Sequence, residues 1–174
     1  MSAILNTYNR KKISFKRGKG SFLYATNGKK YLDFVQGIAV NCLGHSNDYL
    51  NRAILNQSKK LWHVSNAFTI PEQEKLARKL KQKTFADFIF FQNSGAEATE
   101  AAIKFARRYF YSKGQKRKNR VLCINNSFHG RTLATIFASN SKKATEGFYP
   151  KVDGFDHFNF GDHKALEKAI TSRT

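Results

Sequence analysis

The sequence predicts an α/β protein: a small N-terminal α+β segment followed by an incomplete, mostly parallel sheet with its helices. Three observations carry this. Apolar runs at 87–91 (DFIFF), 120–124 (RVLCI) and 155–160 alternate with helix-like stretches at 96–112, from Thr132 onward, and at 162–171. Buried strands alternating with helices are the pattern of βα units and a parallel sheet. Before residue 60 the rhythm differs, with short alternating runs broken by Gly and Asn. Finally, the helix-like DHKALEKAI (162–170) is followed only by TSRT, where the alternation calls for another strand. The expected division is a segment 1–62 belonging to a small domain and the first part of a larger domain from 63 to 174.

Each element has a local reason. Asn27-Gly28 separates FLYAT from YLDF, and both residues tolerate the positive φ of a tight hairpin turn. Residues 47–63 carry apolar side chains at 50, 54, 61 and 62, roughly helical spacing. Pro71 opens the next helix, where its missing N–H costs nothing, and Leu76, Ala77 and Leu80 form its stripe. After DFIFF, polar Gln92-Asn93 and then Ser94-Gly95-Ala96 lead into a long helix.

The composition bounds the function. The chain has 174 residues with 41% hydrophobic and 14% aromatic side chains, enough for a core. Its 31 Lys+Arg against 12 Asp+Glu give +19, which raises nucleic-acid binding as an alternative. The basic residues are scattered, however, apart from RKK (10–12) and KGQKRKNR (113–120). The aromatics are expected in strand or buried helix positions rather than on an exposed platform, so no nucleic-acid partner is expected. Cys42 and Cys123 sit in separate apolar stretches and read as two buried free thiols of a reducing compartment. No apolar leader opens the chain, and 34–47 is too short and polar to cross a bilayer, so a cytoplasmic protein without a membrane partner is expected.

Two constellations could carry chemistry. At Ser94-Gly95-Ala96 a helix N-terminus offers unpaired N–H groups and a partial positive charge. Gly95 permits close approach and Ser94 adds a hydroxyl. A capping box, Ser94-x-x-Glu97, explains the same residues without a ligand, and the turn alone leaves both readings open. The second is NSFHGRT (126–132), after the next strand. There Phe128 can present a flat face, Arg131 can grip a carboxylate with two parallel hydrogen bonds, and Gly130 permits a bend. The five histidines lack metal-ligand spacing, so no metal is expected.

Taken together, YLDFVQGIAVNCLGH (31–45), LWHVSN (61–66), IPEQEKLA (70–77), FFQNSGAEATEAAIKFAR (90–107), SFHGRTLAT (127–135), EGFYPKVDGF (146–155) and ALEKAI (165–170) resemble the class III aminotransferases. These are pyridoxal-phosphate enzymes of fold type I, and the likeness is greatest to their acetylornithine branch. The resemblance implies pyridoxal 5'-phosphate as cofactor. It gives Gly95 and Ala96, with Ser94 adjacent, the cofactor phosphate, and Phe128 a stacking role on the pyridine ring. It gives Arg131 the substrate α-carboxylate, and sets Val40 and Asn41 at a strand end near the substrate entrance.

It further implies amino transfer between N-acetylornithine and 2-oxoglutarate in arginine synthesis, by a homodimer. Whether succinyldiaminopimelate is a second donor, for lysine synthesis, stays open; ornithine or 4-aminobutyrate is the alternative donor. The family's catalytic lysine precedes a run of glycines and its ring-nitrogen aspartate lies in an Asp-Glu pair. This sequence has neither Gly-Gly nor Asp-Glu. No catalytic residue is therefore expected in the chain, which alone is expected to be inactive.

Overall fold

The computed structural model describes residues 3–174, which fall into two compact units, 3–75 and 76–174. In the first unit, β1 (Phe15–Lys19), β2 (Phe22–Ala25) and β3 (Lys30–Leu32) form an antiparallel meander. The hairpin expected at Asn27-Gly28 joins β2 to β3: Gly28 has φ +84 and the Asn27 side chain accepts from the Lys29 N–H. The chain then folds back on the sheet. Gly20 and His45 exchange backbone hydrogen bonds of 2.9 and 2.8 Å, and His45 Nε2 lies 2.7 Å from Asp33 Oδ2.

Between these anchors lies α1 (Gln36–Ala39), a single turn of left-handed residues. Gln36, Gly37, Ile38 and Ala39 have φ of 52, 65, 61 and 61. Asp33 starts it, accepting from the Val35 and Gln36 N–H groups through Oδ1. The N–H of Gln36, with help from His45, holds the Asp33 carboxyl below the usual carboxylate range.

Helix α2 (Asp48–Ser58) begins at the Asn47 cap, whose side chain accepts from Tyr49 and Leu50 N–H. It ends before Leu61 and Trp62, so the apolar spacing that runs to residue 62 overstates its length. The Trp62 indole N–H donates to the Ser58 carbonyl, turning the chain off the helix axis. Helix α3 (Pro71–Lys83) starts at the expected proline.

The second unit is a partial α/β layer. β4 (Val121–Ile124) and β5 (Phe155–Phe158) pair in parallel, with Val121 opposite Phe155 and Ile124 opposite Phe158. They are preceded by α4 (Gly95–Ser112) and separated by α5 (Leu133–Ser139) and α6 (Lys142–Thr145); α7 (His163–Ala169) follows. The core is Ile103, Cys123, Ile136, Phe137, Ala138 and Phe155, with Val121, Ala134, Ala144 and Val152 at its margin. Each large apolar side chain buried here stabilises by roughly 1.5–3 kcal/mol. Arg120 closes the start of the sheet. Its Nε and Nη2 donate to the two Asp156 oxygens at 2.7 and 2.8 Å, and Nη2 also donates to the Phe155 carbonyl.

Three expectations fail here. The run 87–91 joins no ladder: Phe88 is 90% and Phe90 63% exposed, because no described strand lies alongside it. Cys42 is exposed and only Cys123 is buried, since the irregular segment after α1 has nothing packed over it. Nor are the aromatics mostly buried: Trp62, Phe85, Phe88, Phe128 and Phe160 all face outward.

Candidate functional site

The Ser94 turn caps its helix and leaves room for an occupant as well. Ser94 is extended, with φ −150 and ψ 163, and its Oγ accepts from the Glu97 N–H. Glu97 Oε2 reaches back to accept from the Asn93 N–H at 2.8 Å. The return bond of a capping box is thus made one residue early, to Asn93 rather than to the Ser94 N–H. Yet among the described residues the N–H groups of Gly95 and Ala96 donate to nothing, so orphan donors of the helix remain free. The turn also has room for an occupant: a Cβ added at Gly95 would meet no atom within 4 Å. The absent side chain is therefore not required by packing.

The second loop leaves the C-terminal end of β4. Asn126 turns it with φ 60, and its N–H donates to the Ser139 carbonyl. The Ser127 hydroxyl donates to the Ile124 carbonyl at 2.6 Å, so His129 must supply the proton of its 2.8 Å contact with Ser127 Oγ, from Nε2. Phe128, between them, is 76% exposed. Arg131 is also exposed, and its guanidinium carbon lies 5.8 Å from the Phe128 ring centroid. Phe128, Gly130, Arg131, Ser141 and Lys143 line an open cleft of about 290 Å³.

The two loops meet at one point. Gly130, at φ +133, lies so close to α4 that an added Cβ would sit 2.8 Å from Ala96 Cβ. Ser94, Gly95, Ala96, Phe128 and Arg131 thus share one end of the unit. Val40 and Asn41 belong to the first unit. They follow the left-handed turn rather than ending a strand, with the Asn41 N–H donating to the Gln36 carbonyl. The strand pattern fails there because the Asp33 carboxylate captures the N–H groups a strand would need.

His45, His129 and His157 are engaged in hydrogen bonds. His157 Nε2 donates to the Phe137 and Ala138 carbonyls at 3.0 and 3.1 Å, tying β5 to α5. Among the described residues no three His, Cys, Asp or Glu side chains converge as metal ligands. No described helix is long and apolar enough to cross a membrane.

The sequence profile of the family described as Aminotransferase class-III matches residues 5–173. The chain belongs to that family. This class III aminotransferase chain is 53% identical over 171 residues to the acetylornithine aminotransferase of Agrobacterium fabrum, covering 98% of this chain and 43% of that protein. It is 53% identical to the acetylornithine aminotransferase of Brucella melitensis, again over 98% of this chain but 42% of the relative. The chain therefore spans less than half the length of the curated relatives it matches.

Among solved structures, the ornithine aminotransferase of Toxoplasma gondii superposes with a TM-score of 0.91 at 27% identity, over 96% of this chain and 40% of that one. The N-acetylornithine aminotransferase of Stenotrophomonas maltophilia gives 0.74 at 34% identity, over 94% and 39%. The fold is that of the fold type I pyridoxal-phosphate transferases, and family membership implies pyridoxal phosphate as cofactor. A further structure of the Toxoplasma enzyme (TM-score 0.88, 28% identity, 94% of this chain and 39% of that one) records that cofactor, partly occupied, at its active site.

The residues present fit one end of this cofactor. Two free N–H groups at a helix start and an open glycine suit a phosphate. Two contacts between the second loop and α4 are not legible in the sequence: Gly130 against Ala96, and Thr132 joined to Glu100. The fourfold spacing of Ala96 and Glu100 on one helix face is the signal that could have found the pair.

Proposed function

We propose that this chain forms the phosphate-binding and carboxylate-binding part of an aminotransferase that moves an amino group from N-acetylornithine to 2-oxoglutarate. The observation that carries the reading is the junction of the two loops, which puts the free Gly95 and Ala96 N–H groups beside the loop of Phe128 and Arg131. The names of the 53% identical relatives supply the donor.

In this reading pyridoxal phosphate, when bound, supplies the electron sink that lets an amino group leave one carbon skeleton for another. The chain's own residues bind and orient. Gly95 and Ala96 N–H groups hold the phosphate, stabilised further by the α4 dipole, and the Ser94 hydroxyl stands by to donate. Phe128 gives the ring a flat wall. Arg131 receives the substrate α-carboxylate, a charge-assisted pair that strengthens as water is excluded. Val40 and Asn41 border the substrate's way in. The lysine and aspartate of the chemical step come from polypeptide outside these 174 residues, and the working protein is a homodimer of the cytoplasm serving arginine synthesis.

Ornithine as donor is the second reading, favoured by the 0.91 superposition on an ornithine aminotransferase. His129 after Phe128 speaks for acetylornithine, because ornithine enzymes tend to carry Trp there. Steady-state rates of the full-length protein on acetylornithine and ornithine, each with 2-oxoglutarate, decide between them. A kcat/KM favouring acetylornithine by tenfold or more (~1.4 kcal/mol) is expected. Preference for ornithine overturns the first reading, and turnover of neither overturns both.

A further inference from the structure

Residues 130–132 are pinned at both ends, with Arg131 between the pins. The first pin is steric. A Cβ at Gly130 would lie 2.8 Å from Ala96 Cβ, 3.1 Å from Ala96 Cα and 2.9 Å from Thr135 Oγ1. Neither neighbour can swing aside: Ala96 is built into the first turn of an 18-residue helix, and Thr135 is completely buried. The second pin is polar. The Thr132 hydroxyl donates to Glu100 Oε1, four residues along α4 from Ala96 and so on the same face.

Thr132 is itself fixed in orientation. It caps α5, its Oγ1 lies 2.9 Å from Thr135 Oγ1, and the Thr135 hydroxyl lies 3.0 Å from the Thr132 carbonyl. Two contacts one helical turn apart therefore stop this segment from sliding along α4 or rotating about it.

We propose that Gly130, Thr132 and Glu100 are positioning residues that key the Arg131 backbone to the first turn of α4. They thereby set the separation between the anion turn and the carboxylate-binding guanidinium. This rests on the function proposed above. None of the three touches substrate or cofactor in that reading. They act because an aminotransferase must hold the phosphate and the substrate carboxylate at a fixed distance for the reacting atoms to align. A shift on the order of 1 Å in such an arrangement costs up to about a hundredfold in rate.

The test uses the full-length holoenzyme and the better of the acetylornithine and ornithine donors. Glu100→Ala, Thr132→Val, Thr132→Ser, the double variant Glu100→Ala/Thr132→Val and Arg131→Ala are compared. The readouts are KM for the donor, kcat, and cofactor affinity by absorbance titration. Glu100 sits half-exposed on a helix, where Ala is well tolerated, so that variant folds even if Thr132→Val does not.

Glu100→Ala and Thr132→Val are each expected to raise donor KM about tenfold, with cofactor affinity within about twofold of wild type. Thr132→Ser restores the wild-type KM, and the double variant is no worse than either single one, because both break the same contact. A purely structural role would lower the melting temperature and leave KM alone. Arg131→Ala separates the two levels of inference. If it raises KM while Glu100→Ala does not, the positioning role is overturned and the site reading stands. If Arg131→Ala leaves KM unchanged, the site reading fails and the positioning role falls with it.

Discussion

Gly95 stands in a helix although its backbone does not need glycine's freedom, for its φ is not positive, and packing does not need the space. Glycine in a helix costs about 0.5–1 kcal/mol relative to alanine. Gly95→Ala is therefore expected to leave the folded state as stable or slightly more stable. In the full-length protein the added methyl, standing where the phosphate approaches, should nonetheless lower pyridoxal-phosphate affinity about tenfold or more (~1.4 kcal/mol). Unchanged affinity in an absorbance titration would remove the phosphate from this turn. At Asp156 the outcome is set by charge. The hydrogen bonds from Arg120 hold its carboxyl below the usual range, so the folded state takes up a proton less readily than the unfolded chain. That contribution is complete above about pH 4 and disappears as pH falls through the lower, folded value. Arg120→Ala is expected to cost about 1–2 kcal/mol near neutrality, an amount held down by the partial exposure of the pair. The gap from wild type, read by denaturant unfolding, should narrow as pH falls below the ordinary carboxylate range; a gap independent of pH would show that the ion pair is not its source.

At the scale of elements, local chemistry decides what the sequence makes readable. Ser94 and Glu97 write the start of α4 twice over, Ser94 accepting from the Glu97 N–H and Glu97 from the Asn93 N–H. Ser94→Ala is accordingly expected to destabilise the second unit by about 1 kcal/mol, measured by hydrogen exchange along α4. Pro71 and Asn27-Gly28 are legible for the same reason, since proline fixes its own φ and Asn-Gly tolerates the positive φ of a tight turn. The state of 87–91 is not legible in this way. A ladder needs a neighbour, and periodicity in DFIFF cannot say whether one is there. The left-handed turn 36–39 is hidden too, because the Asp33 carboxylate and its His45 partner impose it from residues 12 apart in sequence. Gln36, Ile38 and Ala39 each bear about 1–2 kcal/mol of strain for that geometry. In the candidate site, residue types alone suggest Gly95, Phe128 and Arg131, whereas the Gly130–Ala96 contact exists only once β4 and α4 are packed. The cysteines divide along the same line. Burial pushes the Cys123 thiol up and covers it, while Cys42 lies open. A thiol reagent added to the native chain should therefore modify one cysteine, Cys42, and reach Cys123 only on unfolding; fast labelling of both by mass spectrometry would contradict the fold of the second unit.

For the whole molecule, two long-range forces oppose each other. Apolar surface lies open on both units, with Phe34, Ile38 and Trp62 on the first and Phe85, Phe88 and Phe160 on the second, each at least 85% exposed. Among the described residues β4 pairs with β5 alone. An apolar cleft of about 350 Å³ runs between α4 and β4, lined by Ile103, Ala106, Val121 and Leu122 among others. Open apolar area and an unpaired strand edge both favour self-association. The charge of +19 opposes it, because like-charged copies repel. Salt shifts that balance in one direction. The screening length falls from about 10 Å at 0.1 M to about 3 Å at 1 M, so repulsion between copies fades while the hydrophobic attraction persists. A polypeptide limited to these 174 residues is thus expected to be inactive on acetylornithine with 2-oxoglutarate, lacking the lysine and aspartate contexts of the chemical step. It should also sediment as increasingly large species as sodium chloride rises from 0.05 to about 0.5 M. A monodisperse monomer across that range, unfolding in one sharp transition, would mean that the exposed faces are covered by contacts within the chain itself. Robust turnover would mean that the chemical step needs no residue beyond those described.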